Sequence, residues 1–457
     1  MGTTIGAGST TATGTASVST LVQNATQAGT GSAGSPPSGN PPGGSLPGGS
    51  PPGTSPGTSS YTFSGIYTLD GGTATESDAK FISPTTDVSG VYVTNGGTLA
   101  LANPTIVTSG NTSASDASSF YGLNGAVLAN NGSTVTINGG TITSTGSGAN
   151  GAIPTGAGTS ISLTDVTIKA SGDGGHGVMA TNGGTLILAN VDIATTGSHG
   201  APIATDRGSG TVTVTGGSVT STGADSPGIY STGKISMTGA KITSTGTEAA
   251  IIEGFNSIAL ADTALSGGVA KTGGVMIYQS FSGDAATGTG TFTMKGGSFT
   301  AAAGPAFFIT NTNAAVSLAG VNVTDVSGTL VKASATDRWG TTGSNGGTVV
   351  FTADGETLAG SLVTDSISSI TVTLKNDSSL TGSINSAALS LDATSTWNVT
   401  GDSVLTGLSD ASGISGTTVT NIYGNSHTVT YDKSLAANRG LNGKTYSLVN
   451  GGQLVPS

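Results

Sequence analysis

The chain contains no cysteine, so no disulfide staples it, which suits a protein that must cross an outer membrane unfolded. Charge is scarce: 8% of residues are charged, and the 13 Lys and Arg never cluster. Against 24 Asp and Glu they leave a net charge of −11, which disfavours nucleic acid as a partner. No run approaches the roughly 18 apolar residues of a membrane-spanning helix, so no transmembrane segment is expected. The first residues lack the basic region and apolar run of a signal peptide, so the expectation is either that an export signal has been removed or that the chain is a trimmed piece of a longer protein. Helical spacing of apolar residues is missing throughout, and hydrophobic residues make up only 35% of the chain. That is little for a compact globule but enough for a thin, one-dimensional core.

What is abundant is Gly (77 of 457 residues), Thr and Ser. Residues 1–60 are low-complexity and pass into PPSGNPPGGSLPGGSPPGTSPGTSS, with few apolar side chains to bury. They are expected to form a disordered, partly extended tail. From Tyr61 aromatic and β-branched residues alternate with polar ones, predicting an N-terminal cap that covers the first rung of a solenoid.

The repeat is clearest where TVTVTGGSVTSTGADSPGIYSTG is followed by KISMTGAKITSTGTEAAIIEG, overlaid at Thr211 and Lys234, 23 residues apart. Each copy reads as three short strands separated by turns. The first strand recurs as Leu99/Leu101, Val135/Ile137, Ile161/Leu163, Leu186/Leu188, Val212/Val214, Ile235/Met237, Ile258/Leu260, Phe292/Met294, Val316/Leu318, Val349/Phe351, Val372/Leu374, Leu389/Leu391 and Trp397/Val399. Period-2 alternation puts each pair on one face and the intervening Thr or Ser on the other. A second column runs through Ile142, Ile168, Ile193, Val219, Ile242, Leu265, Phe299 and Val323. A third takes Val127, Val178, Ile203, Ile229, Ile251, Ile309, Leu330 and Leu362. Three columns at a period near 23 to 26 residues predict an all-β, single-stranded, right-handed parallel β-helix of about a dozen rungs over 61–400, with cap strands over 401–457. Three longer intervals carry polar insertions at 109–125, 278–290 and 334–347, which are expected to loop out from one side and carry recognition.

Residues 395–405, STWNVTGDSVL, together with the periodic body, resemble the right-handed β-helix passenger domains of bacterial autotransporters and related adhesins, whose last rungs share a TWxVTGDSxV stretch. The resemblance implies a secreted or cell-surface stalk with adhesive or structural duties. No translocator barrel follows Trp397 within these residues, so outer-membrane attachment is not part of the expectation.

Parallel β-helices also house polysaccharide lyases and hydrolases, which need converging carboxylates, a cation or a Ca²⁺ site. Here the acids are scattered, often in turns, as with Asp165, Asp192, Asp262 and Asp325. The nearest approach to a cluster is a corner ladder in which His199, Asp225 and Glu248 each fall two residues after the Gly ending the second strand. His176 takes a similar place one rung earlier. Stacking at about 4.8 Å would bring these four within reach of a metal or of one another, although turns favour polar residues whatever their role. A second candidate is the repeated ATDR, giving Asp206-Arg207 and Asp337-Arg338-Trp339. Trp339 beside Arg338 could stack on a sugar ring; a local ion pair at the loop base is the plainer role. Outward Thr143, Thr220, Thr243 and Thr300 suggest an ice-binding face, interrupted by Lys169, Ala194 and Ser266.

The sequence therefore predicts a non-enzymatic, secreted or bacterial cell-surface stalk presenting its insertions to a host-cell, matrix or glycan surface or to another copy of itself, with no cofactor and no metal. The alternatives are a carbohydrate-active β-helix and an ice-binding solenoid.

Overall fold

A computed structural model describes residues 21–23 and 61–457; the tail predicted over 1–60 lies outside the described residues except for the short strand Leu21–Gln23. The chain forms a parallel β-helix. The strands Thr211–Thr215, Ser218–Ser221 and Ile229–Ser231 make one rung, and Lys234–Thr238, Lys241–Ser244 and Ala250–Glu253 the next. Val212 pairs with Ile235, Val219 with Ile242, and Ile229 with Ala250, all in parallel register. The same three ladders carry one continuous core in which the inward residues are almost wholly buried. Each rung contacts only its neighbours, so the core is a rod of stacked aliphatic columns. A cluster of Phe292, Phe299, Phe307 and Phe351, with ring centroids 5.3 to 5.7 Å apart, thickens it midway.

The second ladder is a sheet of ten strands running from Lys80–Ser83 to Asn322–Asp325, while the first and third continue and join into one connected sheet. Tyr61–Asp70 already pairs in parallel with Val88–Thr94, so residues 61–83 supply a complete first rung. At the other end the parallel pairing runs through Ser403–Ser409 and Thr428–Tyr431 to Gln453–Pro456, joined there by two antiparallel pairings.

Five inward assignments shift, two of them in the third column, where Phe307 and Val331 hold the places expected for Ile309 and Leu330 and a bulge between Thr329 and Val331 leaves Leu330 out of the pairing. Ala250 takes the third-column place beside Ile229, and Ile251 pairs with Tyr230 facing outward, because a small residue there leaves room for the core. Val316 pairs with Phe351 instead of Val349, since Gly347–Asp354 is a long strand that enters two residues early. Trp397 is fully buried, with its indole N–H on Gly382 O at 2.9 Å, but pairs with Leu380 in the second-strand ladder. The strand Ile384–Leu391 had fused the third and first strands of its rung, so the two-residue template counted one strand too many.

The turns explain where many acids sit. Asp165 and Asp262 hold left-handed corners at φ 55° and 46°, a conformation in which Asn and Asp rank next to Gly. At the corner before the third strand the rungs approach so closely that only glycine fits. A Cβ on Gly146, Gly172 or Gly223 would lie 1.9 Å from the carbonyl oxygen of the glycine one rung before.

Candidate functional site

The outer face of the third strand differs from the other two. Mid-strand Tyr92, Leu128, Ile153, Met179 and Ala204 point away from the core, yet all are buried. They form a second apolar cluster with Ala117 and Leu123 from the first insertion. That insertion folds into a short helix, α1 (Ser115–Tyr121), closed by Gly122 in the left-handed conformation. The Phe120 carbonyl, at the end of α1, accepts from Thr181 Oγ1 at 2.9 Å and Asn182 Nδ2 at 2.7 Å, so α1 lies flat across the rungs.

The third insertion does the same farther along. Trp339 is only 8% exposed, packed with Met276, Tyr278 and Phe308. Its ring centroid is 4.8 Å from that of Tyr278, and the Arg338 guanidinium carbon lies 4.5 Å above the ring. The indole is thus engaged by neighbours within the protein. Arg338 and Asp337 remain exposed.

Between these covers lies a polar network that the sequence reading did not find. Glu253, 1% exposed at the end of Ala250–Glu253, accepts Tyr230 Oη at 2.6 Å, Tyr278 Oη at 3.0 Å, the Ser280 N–H at 3.3 Å, Ser282 Oγ at 3.3 Å and the Ser280 hydroxyl. Burial and then the Glu253 charge raise both phenols well above their usual pKa. Arg207 Nε and Nη2 donate to Asp284 Oδ1 of the second insertion at 3.0 and 2.8 Å, while its guanidinium carbon sits 3.8 Å above the Phe120 ring. One side chain thereby ties the first insertion to the second. Neighbouring Asp206 is pushed up to about 8 by burial and by the Asp284 and Glu253 charges, with the Arg207 N–H bond and guanidinium opposing. It is therefore a neutral acid at pH 7.

The predicted ion pair at the ATDR loop base thus has a distant partner, 77 residues on. Removing the clasp with Arg207→Ala strips two charge-assisted hydrogen bonds to one carboxylate oxygen and a cation–π contact together. Amide exchange in 279–288 and in 111–124 is expected to rise at least tenfold; unchanged protection in both segments would show that the clasp holds nothing.

The corner ladder is brought together only in part. His199 Nε2 and Asp225 Oδ2 are 3.5 Å apart, both residues in left-handed corners. The matching place one rung earlier belongs to Gly174, at φ 70°, and not to His176. His176 instead faces Asn150 Oδ1 at 3.2 Å, and burial lowers its pKa to about 4. Glu248 is turned in, 6% exposed, and accepts the Thr247 and Thr272 hydroxyls. Among the described residues no group of three His, Cys, Asp or Glu is arranged to hold a metal ion. No family model, curated protein or solved structure matches the chain.

The outward Thr column of the second sheet reads Thr143, Lys169, Ala194, Thr220, Thr243, Ser266, Thr300 in register, so a long side chain interrupts it. A groove of about 330 Å³ opens where the second and third insertions meet the turn into the first strand. Thr287, Asn311, Thr312, Asn313, Ser344 and Thr348 line it, Ile367 stands at its edge, and no charged side chain takes part. The readable signal for this whole face was a third strand apolar on both sides, which implies a cover on both.

Proposed function

We propose that the chain is a non-enzymatic stalk of a secreted or bacterial cell-surface protein, of the autotransporter-passenger kind, whose inserted face meets a host-cell, matrix or glycan surface. The observation that supports this reading is the gathering of the insertions along the third-strand side of the rod, the first and third packed on its outer face and the first tied to the second by Arg207. A rigid rod with one elaborated side presents a contact surface at a fixed distance and orientation. The gathered carboxylate, Glu253, is buried beneath five donors and has no access to a substrate. Enzymatic use would need an exposed acid with a free lone pair.

Exposed residues of the insertions test the proposal without disturbing the rod. Phe281 is 57% exposed, and Asp337 and Arg338 lie on the surface of the third insertion. Adhesion of the purified protein to epithelial cells and matrix-coated plates is expected to fall at least fivefold in a variant carrying Phe281→Ala, Asp337→Ala and Arg338→Ala. Undiminished adhesion by this variant would remove the inserted face from the contact.

A further inference from the structure

The groove between the second and third insertions has the chemistry of a neutral-sugar site. Its side chains are amides and hydroxyls, groups that donate and accept at once and so match the paired donor and acceptor capacity of a sugar hydroxyl. The Asn313 amide and the Ser344 and Thr287 hydroxyls lie on the surface with no side-chain partner among the described residues. Gln279, also in the lining, has its buried side-chain oxygen without a hydrogen-bond partner among the described residues. Apolar surface flanks the polar strip: Ile367 is 42% exposed at one edge, and Phe255, 68% exposed, packs where a Cβ on Gly288 would touch its ring. Large apolar side chains left this open beside free hydroxyls and amides are suited to the C–H faces of a pyranose.

Charge narrows the ligand further. The groove has no cation to meet a uronate or sulfate, and the chain as a whole carries −11. An acidic polysaccharide would be repelled. The shape narrows it again, because Asn313 and Thr348 come from successive rungs and pair in register, and Thr287 leads into Thr289, which pairs with Asn313 from the rung before. Rungs repeat about every 4.8 Å, close to the length of one sugar unit along a chain. From these features we infer that this groove binds a neutral oligosaccharide laid along the rod axis, one sugar per rung, with Asn313 and Ser344 holding hydroxyls and Phe255 and Ile367 holding apolar ring faces. The inference deepens the adhesive reading and rests on it for its biological setting, but it names a separate surface from Phe281, Asp337 and Arg338.

The test uses the full-length protein on an array of neutral hexose and N-acetylhexosamine oligosaccharides of graded length, with uronic-acid and sulfated oligosaccharides as the acidic arm. Binding is expected in the neutral arm only, strengthening with length until about three units are spanned. The double variant Asn313→Ala, Ser344→Ala is expected to lose at least tenfold in affinity for the best neutral ligand, and Phe255→Ala several-fold, with unchanged thermal midpoints. Should the double variant unfold, Thr348→Ala on the exposed first-strand face serves instead, with the same expected direction. Equal binding by folded variants, or binding confined to acidic sugars, overturns the groove assignment. Loss of cell adhesion on changing the insertion surface, with no neutral sugar bound, sinks the groove while sparing the stalk. Neutral-sugar binding without cell adhesion does the reverse.

Discussion

Gly172→Ala is expected to destabilise the protein by at least about 3 kcal/mol, whereas Gly174→Ala, two residues away, costs about 1 kcal/mol. The difference comes from two kinds of glycine at one corner. Gly174 has φ 70°, and a Cβ there meets nothing within 4 Å, so the only penalty is the left-handed backbone. His199 and Asp225 already occupy the matching place on the next rungs. Gly172 has an ordinary φ, but a Cβ would lie 1.9 Å from Gly146 O and 2.4 Å from its carbon. Both are backbone atoms, so no rotamer change relieves the clash and two rungs must separate locally. Urea midpoints of the two variants, with limited proteolysis mapping the 146–172 rungs, separate the cases. Similar midpoints would mean that the stacking at this corner is loose. Gly146→Ala and Gly223→Ala should repeat the Gly172 result, since each faces a glycine carbonyl at the same distance.

A second large effect concerns pH. Asp206 has its pKa raised from 3.8 to about 8, so between those values the folded chain holds a proton that the unfolded chain has lost. Its contribution to stability is full below pH 3.8 and falls as pH rises, by about 1.4 kcal/mol per pH unit. His176 works the other way: with its pKa lowered from 6.5 to about 4, it binds its proton more readily when unfolded, so its contribution is full above pH 6.5 and is lost as pH falls toward 4. The two slopes oppose each other between pH 4 and 6.5, and only the Asp206 loss remains from 6.5 to 8. Thermal midpoints measured from pH 4 to 8.5 should therefore be nearly level and then decline. Asp206→Asn is expected to abolish the decline and uncover a rise between pH 4 and 6.5. A decline of the same size above pH 6.5 in that variant would assign it to other groups.

The architecture was legible because each strand writes its burial as a two-residue rhythm, and thirty or more inward positions repeat it. Errors in register fell where the rhythm has more than one solution: Ala250 and Ile251 are both apolar, and in the long strand Gly347–Asp354 any of three alternate residues could lead. The clasp was not legible, because Arg207 finds Asp284 across 77 residues and Phe120 across α1, neither of which a period reveals. Glu253 looked like any turn acid after a strand. Its role appears only once Tyr278 stands opposite it on the next rung and Tyr230, paired with Ile251, reaches it from the rung before. Trp339 showed the limits of composition in another way, since an exposed-looking insertion supplies its aromatic to the cover and not to solvent.

The Arg207 clasp also bears on how the rod carries load. Pulled along its axis, a stack of parallel rungs can peel from an end one turn at a time, each turn freeing a loop of chain with little resistance from those beyond it. Arg207 fastens α1, seated over the rungs near 155–182, to a loop that leaves the rod after Val275–Tyr278. Tension on the rungs between is shared across that tie, so the middle of the rod is reinforced like a laced seam while its ends remain free to unzip.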